Sequence, residues 1–115
     1  MKDEAKNEAS VIKDEALEIT EEIEDGTARF VLMGRVDSNS SNVLGYRLDK
    51  AFNEENKVFI LNMSQVEYLS SAGIRVILKA YKDVRKAGGK LGIESPSENV
   101  RNVLGMTALD EMLIK

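Results

Sequence analysis

The 115-residue chain contains neither cysteine nor histidine. The first absence rules out disulfides, thiolate nucleophiles and cysteine-held zinc. The second removes Ser-His-Asp triads, the usual general base and the commonest transition-metal ligand. No apolar run approaches the roughly 20 residues that a bilayer-crossing helix needs. The opening residues, Met-Lys-Asp-Glu-Ala-Lys-Asn-Glu, lack the apolar stretch of a secretory signal. There is no internal repeat and no low-complexity tract. The expectation is a soluble cytoplasmic protein of one domain, large enough to bury a core without staples and holding no metal or other cofactor.

Charge is present but unevenly placed. Residues 1–26 carry 3 basic and 10 acidic side chains, whereas the remainder carries 13 basic and 10 acidic, for a net charge of −4. Residues 1–13 have no sustained apolar face and are expected to be a flexible acidic leader, followed by a single domain over 14–115. From Leu17 apolar residues alternate with polar ones, which predicts a strand. Asp25-Gly26 predicts a hairpin turn into a second strand, Thr27–Gly34. Phe30 and Leu32 lie on one face of that strand and Val31 and Met33 on the other, as in a central strand. The loop Gly34-Arg35-Val36-Asp37-Ser38-Asn39-Ser40-Ser41 is rich in helix-capping residues.

Helical spacing of Leu44, Leu48, Ala51 and Phe52 follows, with Asn53 as the stop. Val58–Leu61 is short and wholly apolar, as in a buried strand. Beyond Ser70-Ser71-Ala72-Gly73, the positions Ile74, Ile77, Leu78, Tyr81 and Val84 predict a second helix ending at Gly88-Gly89. Lys90–Glu94 predicts a strand, Ser95-Pro96-Ser97 the start of a third helix, and Met112-Leu113-Ile114 a last short strand. Alternation of strand and helix after a hairpin predicts an α/β fold, with a mixed sheet of four to five strands and three or more helices.

Little of this supports catalysis. Ser10-Val-Ile-Lys13 fits a Ser-x-x-Lys pattern without the companion motifs that such a nucleophile needs. The glycines form no phosphate-cradling loop of Walker or dinucleotide type. Arg75, Lys79, Lys82 and Lys86 share one side of the second helix, as either a solvated face or an anion-facing contact surface. Without interleaved aromatics they make no nucleic-acid platform. The Ser70-Ser71-Ala72-Gly73 turn opens a helix, where unpaired N–H groups and partial positive charge suit an anion. Either serine there can be a simple cap, and Asp37 a simple N-cap or Asx turn. On the residues alone those structural roles stay open beside functional ones.

Taken in order, several segments resemble the STAS domain family, and within it the bacterial anti-sigma factor antagonists. Gly34-Arg35-Val36-Asp37 is similar to the family's Gly-x-Leu/Val-Asp. Val58–Ser64 is similar to its buried strand with the following Asp/Asn-hydrophobic-Ser. Val66-Glu67-Tyr68-Leu69-Ser70-Ser71-Ala72-Gly73-Ile74 is similar to its phosphorylation turn, and Gly88-Gly89 before a strand also fits. The resemblance implies a non-enzymatic module that binds an anti-sigma factor, a GHKL-type serine kinase, and so frees a sigma factor. Phosphorylation releases it and a PP2C-type phosphatase resets it.

Matching Asp-Ser-Ser-Gly onto Ser70-Ser71-Ala72-Gly73 implies Ser71 as the acceptor, with serine at Ser70 where many members have aspartate. Asp37, Ser38, Asn39, Ser70, Ser71, Ala72, Gly73 and Arg75 are the partner-binding residues so implied. Many members carry a further C-terminal helix, so an edge less covered than theirs is expected, in a monomer or weak dimer. Two other uses of the same fold are a scaffold subunit without serine phosphorylation, as in stressosome-like or lipid-transport assemblies, and a small-ligand or nucleotide binder.

Overall fold

A computed structural model describes residues 7–107 and 109–114. Five strands form one sheet in the order β1-β2-β3-β4-β5: Asn7–Lys13, Leu17–Glu24, Thr27–Val36, Val58–Leu69 and Lys90–Glu94. The first three pair antiparallel, and β3–β4 and β4–β5 pair parallel. Helices α1 (Ser40–Ala51) and α2 (Ser71–Lys86) make the two parallel crossovers, and α3 (Glu98–Met106) follows β5. This is the expected α/β architecture, with β3 central.

Register decides which side chains are buried. Glu21, Phe30, Leu61 and Ile93 stand abreast across β2 to β5, as do Ile23, Ala28, Phe59 and Leu91. That face meets Leu44 and Leu48 of α1, Ile77 and Val84 of α2, and Val100 and Leu104 of α3 in one core. Phe30 and Phe52 both pack on Phe59, with ring centroids 5.7 and 6.3 Å away. Glu21 is the exception on this face. Its carboxylate accepts from Arg47 Nε (2.5 Å) and Nη2 (3.0 Å) of α1, a bidentate pairing that compensates a buried charge. The same pairing raises the Arg47 pKa.

Three expectations need correction. Residues 1–13 were expected to be a flexible leader, but Asn7–Lys13 is strand β1, paired along its length with β2; residues 1–6 lie outside the described ones. Its few apolar side chains hid it, because an edge strand with one open face buries little: Val11 is exposed, and among the described side chains of β1 only Ile12 reaches the core. The strand also disposes of Ser-x-x-Lys, since Ser10 and Lys13 project to opposite faces. Second, β4 runs on to Leu69. Register shifts between Val31 and Met33 and between Gly34 and Arg35 change its buried spacing to Met63, Val66 and Leu69, so a period-two reading stops short. Third, the tail forms a 3₁₀ turn, Asp110–Met112, and only Leu113 bridges to Ile93.

Candidate functional site

The parallel pairing of β3 with β4 brings the two loops of interest together. Val36 ends β3 opposite Leu69, which ends β4. Ser70 N–H then donates to the Val36 carbonyl at 2.9 Å. Asp37 and Ser71 each follow these joined residues directly, so both loops open at the same end of the sheet.

The two serines of the turn have different jobs. Ser70 is the N-cap of α2, and its hydroxyl accepts from Gly73 N–H at 3.0 Å. Ser71 is the first helical residue and is exposed, and its hydroxyl has no hydrogen-bond partner among the described residues. No acidic side chain occupies the first turn of α2, so the positive end of the helix dipole is uncompensated. Gly73 is required for close approach. A Cβ there would lie 2.6 Å from Val36 Cγ1 and 2.8 Å from Leu69 Cδ1, inside the ordinary carbon–carbon separation. The small residue thus lets α2 start flush against the sheet, holding Ser71 at its rim.

The Asp37 loop is tied down locally. Asp37 Oδ1 accepts from the N–H groups of Asn39 (3.0 Å) and Ser40 (2.8 Å), serving the α1 terminus that Asn39 itself leaves uncapped. The buried Ser40 hydroxyl accepts from Asp37 N–H (2.9 Å) and donates to the Arg35 carbonyl (2.7 Å). Ser41 is also buried and donates to Ser38. Asp37 therefore does fill the capping role, and one carboxylate oxygen stays unbonded among the described residues. Ser38 and Asn39 are exposed on the same loop, and Arg75 is exposed one turn along α2 from Ser71.

Sequence reasoning did not single out Ser40 or Val36. The capping-rich composition of 37–41 signalled Ser40, whereas nothing local signals that the Val36 carbonyl couples the loops. Arg35, stacked 4.5 Å above the Tyr68 ring, was equally hidden.

Bonding to the Ser40 backbone N–H is the main reason the Asp37 carboxyl sits below its ordinary value. A lowered folded pKa means stabilisation that is complete above the unfolded value of 3.8 and fades as pH falls through the folded one. Asp37→Asn keeps an acceptor but loses this dependence. Urea titrations across the acid range are expected to show a shallower loss of stability for Asp37→Asn below about pH 4 than for the parent chain. Coincident curves would mean that the charge of the Asp37 carboxylate contributes nothing to α1 capping.

A cleft of about 270 Å³ lies between α1 and α2, floored by Leu48, Phe52, Phe59 and Val84. Asp49 and Asp83 stand at it with Lys79, which already bonds Asp83 at 2.9 Å. Carboxylates outnumber cations there, which disfavours a nucleotide's phosphates. Among the described residues no cluster of acidic side chains is arranged to hold a metal ion, and no helix is long and apolar enough to cross a membrane.

Residues 18–115 match the STAS domain family. A Thermotoga maritima protein assigned as an anti-sigma factor antagonist is 36% identical over 58 residues, a match spanning 50% of either chain. The anti-sigma F factor antagonist of Paenibacillus polymyxa is 24% identical over 83 residues, covering 71% of each. Among solved structures, the anti-sigma factor antagonist SpoIIAA in its unphosphorylated form superimposes with a TM-score of 0.74 at 16% identity, over 93% of this chain and 86% of that one. The phosphorylated form of the same Bacillus protein gives 0.68, again at 16% identity, over 93% and 89%. With its sheet order, its crossover helices and its joined Asp37 and Ser71 loops accounted for, this chain belongs to the STAS domain family.

Proposed function

We propose that this chain is an anti-sigma factor antagonist, a binding module with no catalysis of its own, switched by phosphorylation of Ser71. One observation carries the site: of two adjacent hydroxyls, Ser70 is committed to the helix cap and Ser71 is exposed and unengaged. A kinase reaches Ser71 without breaking the fold. The neighbouring N–H groups of Ser71 and Ala72 have no partner among the described residues, so the helix terminus accommodates the incoming charge. The named relatives support the class of partner, an anti-sigma factor, and the existence of a phosphorylated SpoIIAA supports a phosphorylation switch in this fold. In this scheme the anti-sigma factor is a GHKL-type serine kinase and a PP2C-type phosphatase reverses its action. The partner sits across Asp37, Ser38 and Asn39 on one loop and Ser70, Ser71, Ala72, Gly73 and Arg75 on the other.

The site is tested by incubating the chain with its anti-sigma factor and ATP, then mapping phosphate by mass spectrometry. A single phosphate on Ser71 is expected, and none on Ser71→Ala. Phosphate on Ser70 or elsewhere, with Ser71 unmodified, would sink the assignment.

A further inference from the structure

We infer that the outer face of α2, from Arg75 to Lys86, is a docking surface for an acidic patch on the protein that phosphorylates Ser71. This extends the function proposed above and rests on it. Helix α2 carries Arg75, Lys79, Lys82, Arg85 and Lys86 against Asp83 alone, a net of +4 in a chain whose net charge is −4. The other helices mix signs: α1 has Arg47 and Lys50 with Asp49, and α3 has Glu98 with Arg101. Arg75, Lys79, Lys82 and Lys86 recur at i, i+4, i+7 and i+11, and all four are exposed.

Helix stability does not explain this stripe. Arg75 and Lys79, like Lys82 and Lys86, are like charges at i, i+4 and repel. Basic residues suit the C-terminal turn, which accounts for Arg85 and Lys86. Arg75, by contrast, stands near the positive end of the helix dipole, where a cation is unfavourable. Local pairing relieves only part of the stripe. Lys79 bonds Asp83, and Arg85 bonds the Tyr81 hydroxyl and lies 5.3 Å from its ring. Arg75, Lys82 and Lys86 have no ion-pair partner among the described residues.

The stripe begins one helical turn beyond Ser71, so a kinase engaging Ser71 lies beside it. Complementary charge would steer that encounter and set its register. It also gives phosphorylation a target. The phosphate adds negative charge at the end of a positive surface, against the acidic patch docked on it.

The test uses full-length chain and the anti-sigma factor in binding titrations at low and near-physiological salt. Lys82→Glu/Lys86→Glu reverses charge about 16 and about 22 Å along the helix from Ser71, so the acceptor turn is untouched. Lys13→Glu/Lys90→Glu makes the same charge change on exposed positions of β1 and β5. The α2 variant is expected to bind about tenfold or more weakly at low salt, chiefly through slower association. The control pair is expected to bind like the parent chain, whose own affinity falls as salt rises. Equal binding by both variants, or salt-independent binding by the parent, overturns the inference while leaving the function standing. Failure of the parent to bind the anti-sigma factor at all refutes the function and this surface with it. Phosphatidylserine vesicles and duplex DNA serve as competing probes. Retention of the parent but not of the α2 variant by either, with anti-sigma factor binding unchanged, would reassign the stripe and overturn the proposal.

Discussion

Phosphorylation of Ser71 is expected to weaken binding to the anti-sigma factor by about a hundredfold or more, with no loss of thermal stability. The added group brings about −1.5 to −2 charges at neutral pH. Two unit charges 4 Å apart near a protein surface interact by about 4 kcal/mol at an effective dielectric of 20. Screening and distance reduce this, and a remainder of about 3 kcal/mol still exceeds a hundredfold in affinity. Inside the chain the balance is opposite in sign. The phosphate stands at the uncompensated N-terminus of α2, one turn from the exposed Arg75, where negative charge is stabilising. The modified chain therefore stays folded, with a melting temperature equal to or slightly above that of the unmodified one.

Substitutions divide the effect further. Ser71→Ala is expected to bind persistently, because an exposed hydroxyl without partners is lost at no cost to the fold. Ser71→Asp carries less charge than phosphate and is expected to fall between the two forms. Isothermal titration with each form checks the order. Equal affinity of Ser71→Ala and the phosphorylated chain would refute the switch, and a fall in melting temperature on phosphorylation would point to unfolding.

The largest expected effect on stability is at Gly34. Its φ is +116°, and a Cβ would stand 2.3 Å from the Ala16 carbonyl oxygen. That oxygen cannot move aside freely, because it accepts from Arg35 N–H at 2.8 Å. Gly34→Ala thus combines a backbone conformation that L-residues avoid with a collision against a bonded main-chain atom. Each contributes about 1–3 kcal/mol, so the variant is expected to lose about 2–6 kcal/mol, a large share of a small domain's stability. The damage reaches the site, since Arg35, Val36 and Asp37 follow directly and Val36 anchors the Ser70 turn. Urea denaturation should show a lower midpoint with an unchanged slope. A loss below about 0.5 kcal/mol would mean that the bend at the end of β3 relaxes around a side chain. This is the physical content of the glycine in Gly34-Arg35-Val36-Asp37.

Local patterns announced most elements because each has a chemical cause that acts over a few residues. The Asp25-Gly26 turn has both residues at positive φ, and Ser97 caps α3 by accepting from Val100 N–H. Helix α2 stops before Gly88, also at positive φ. Where burial was partial, the pattern failed. Among the described side chains of β1 only Ile12 reaches the core, and the second half of β4 is broken by the register shifts beside Met33 and Gly34.

By itself the sequence determined the α/β class, the excluded chemistries and the turn where a serine meets a helix N-terminus, since each depends on residue type and short spacing. Tertiary structure alone shows which of Ser70 and Ser71 caps α2, because capping depends on which hydroxyl meets Gly73 N–H. It also decided that Asp37 stands beside them. Parallel pairing of β3 with β4 joins residues more than thirty positions apart, and no local spacing encodes that junction.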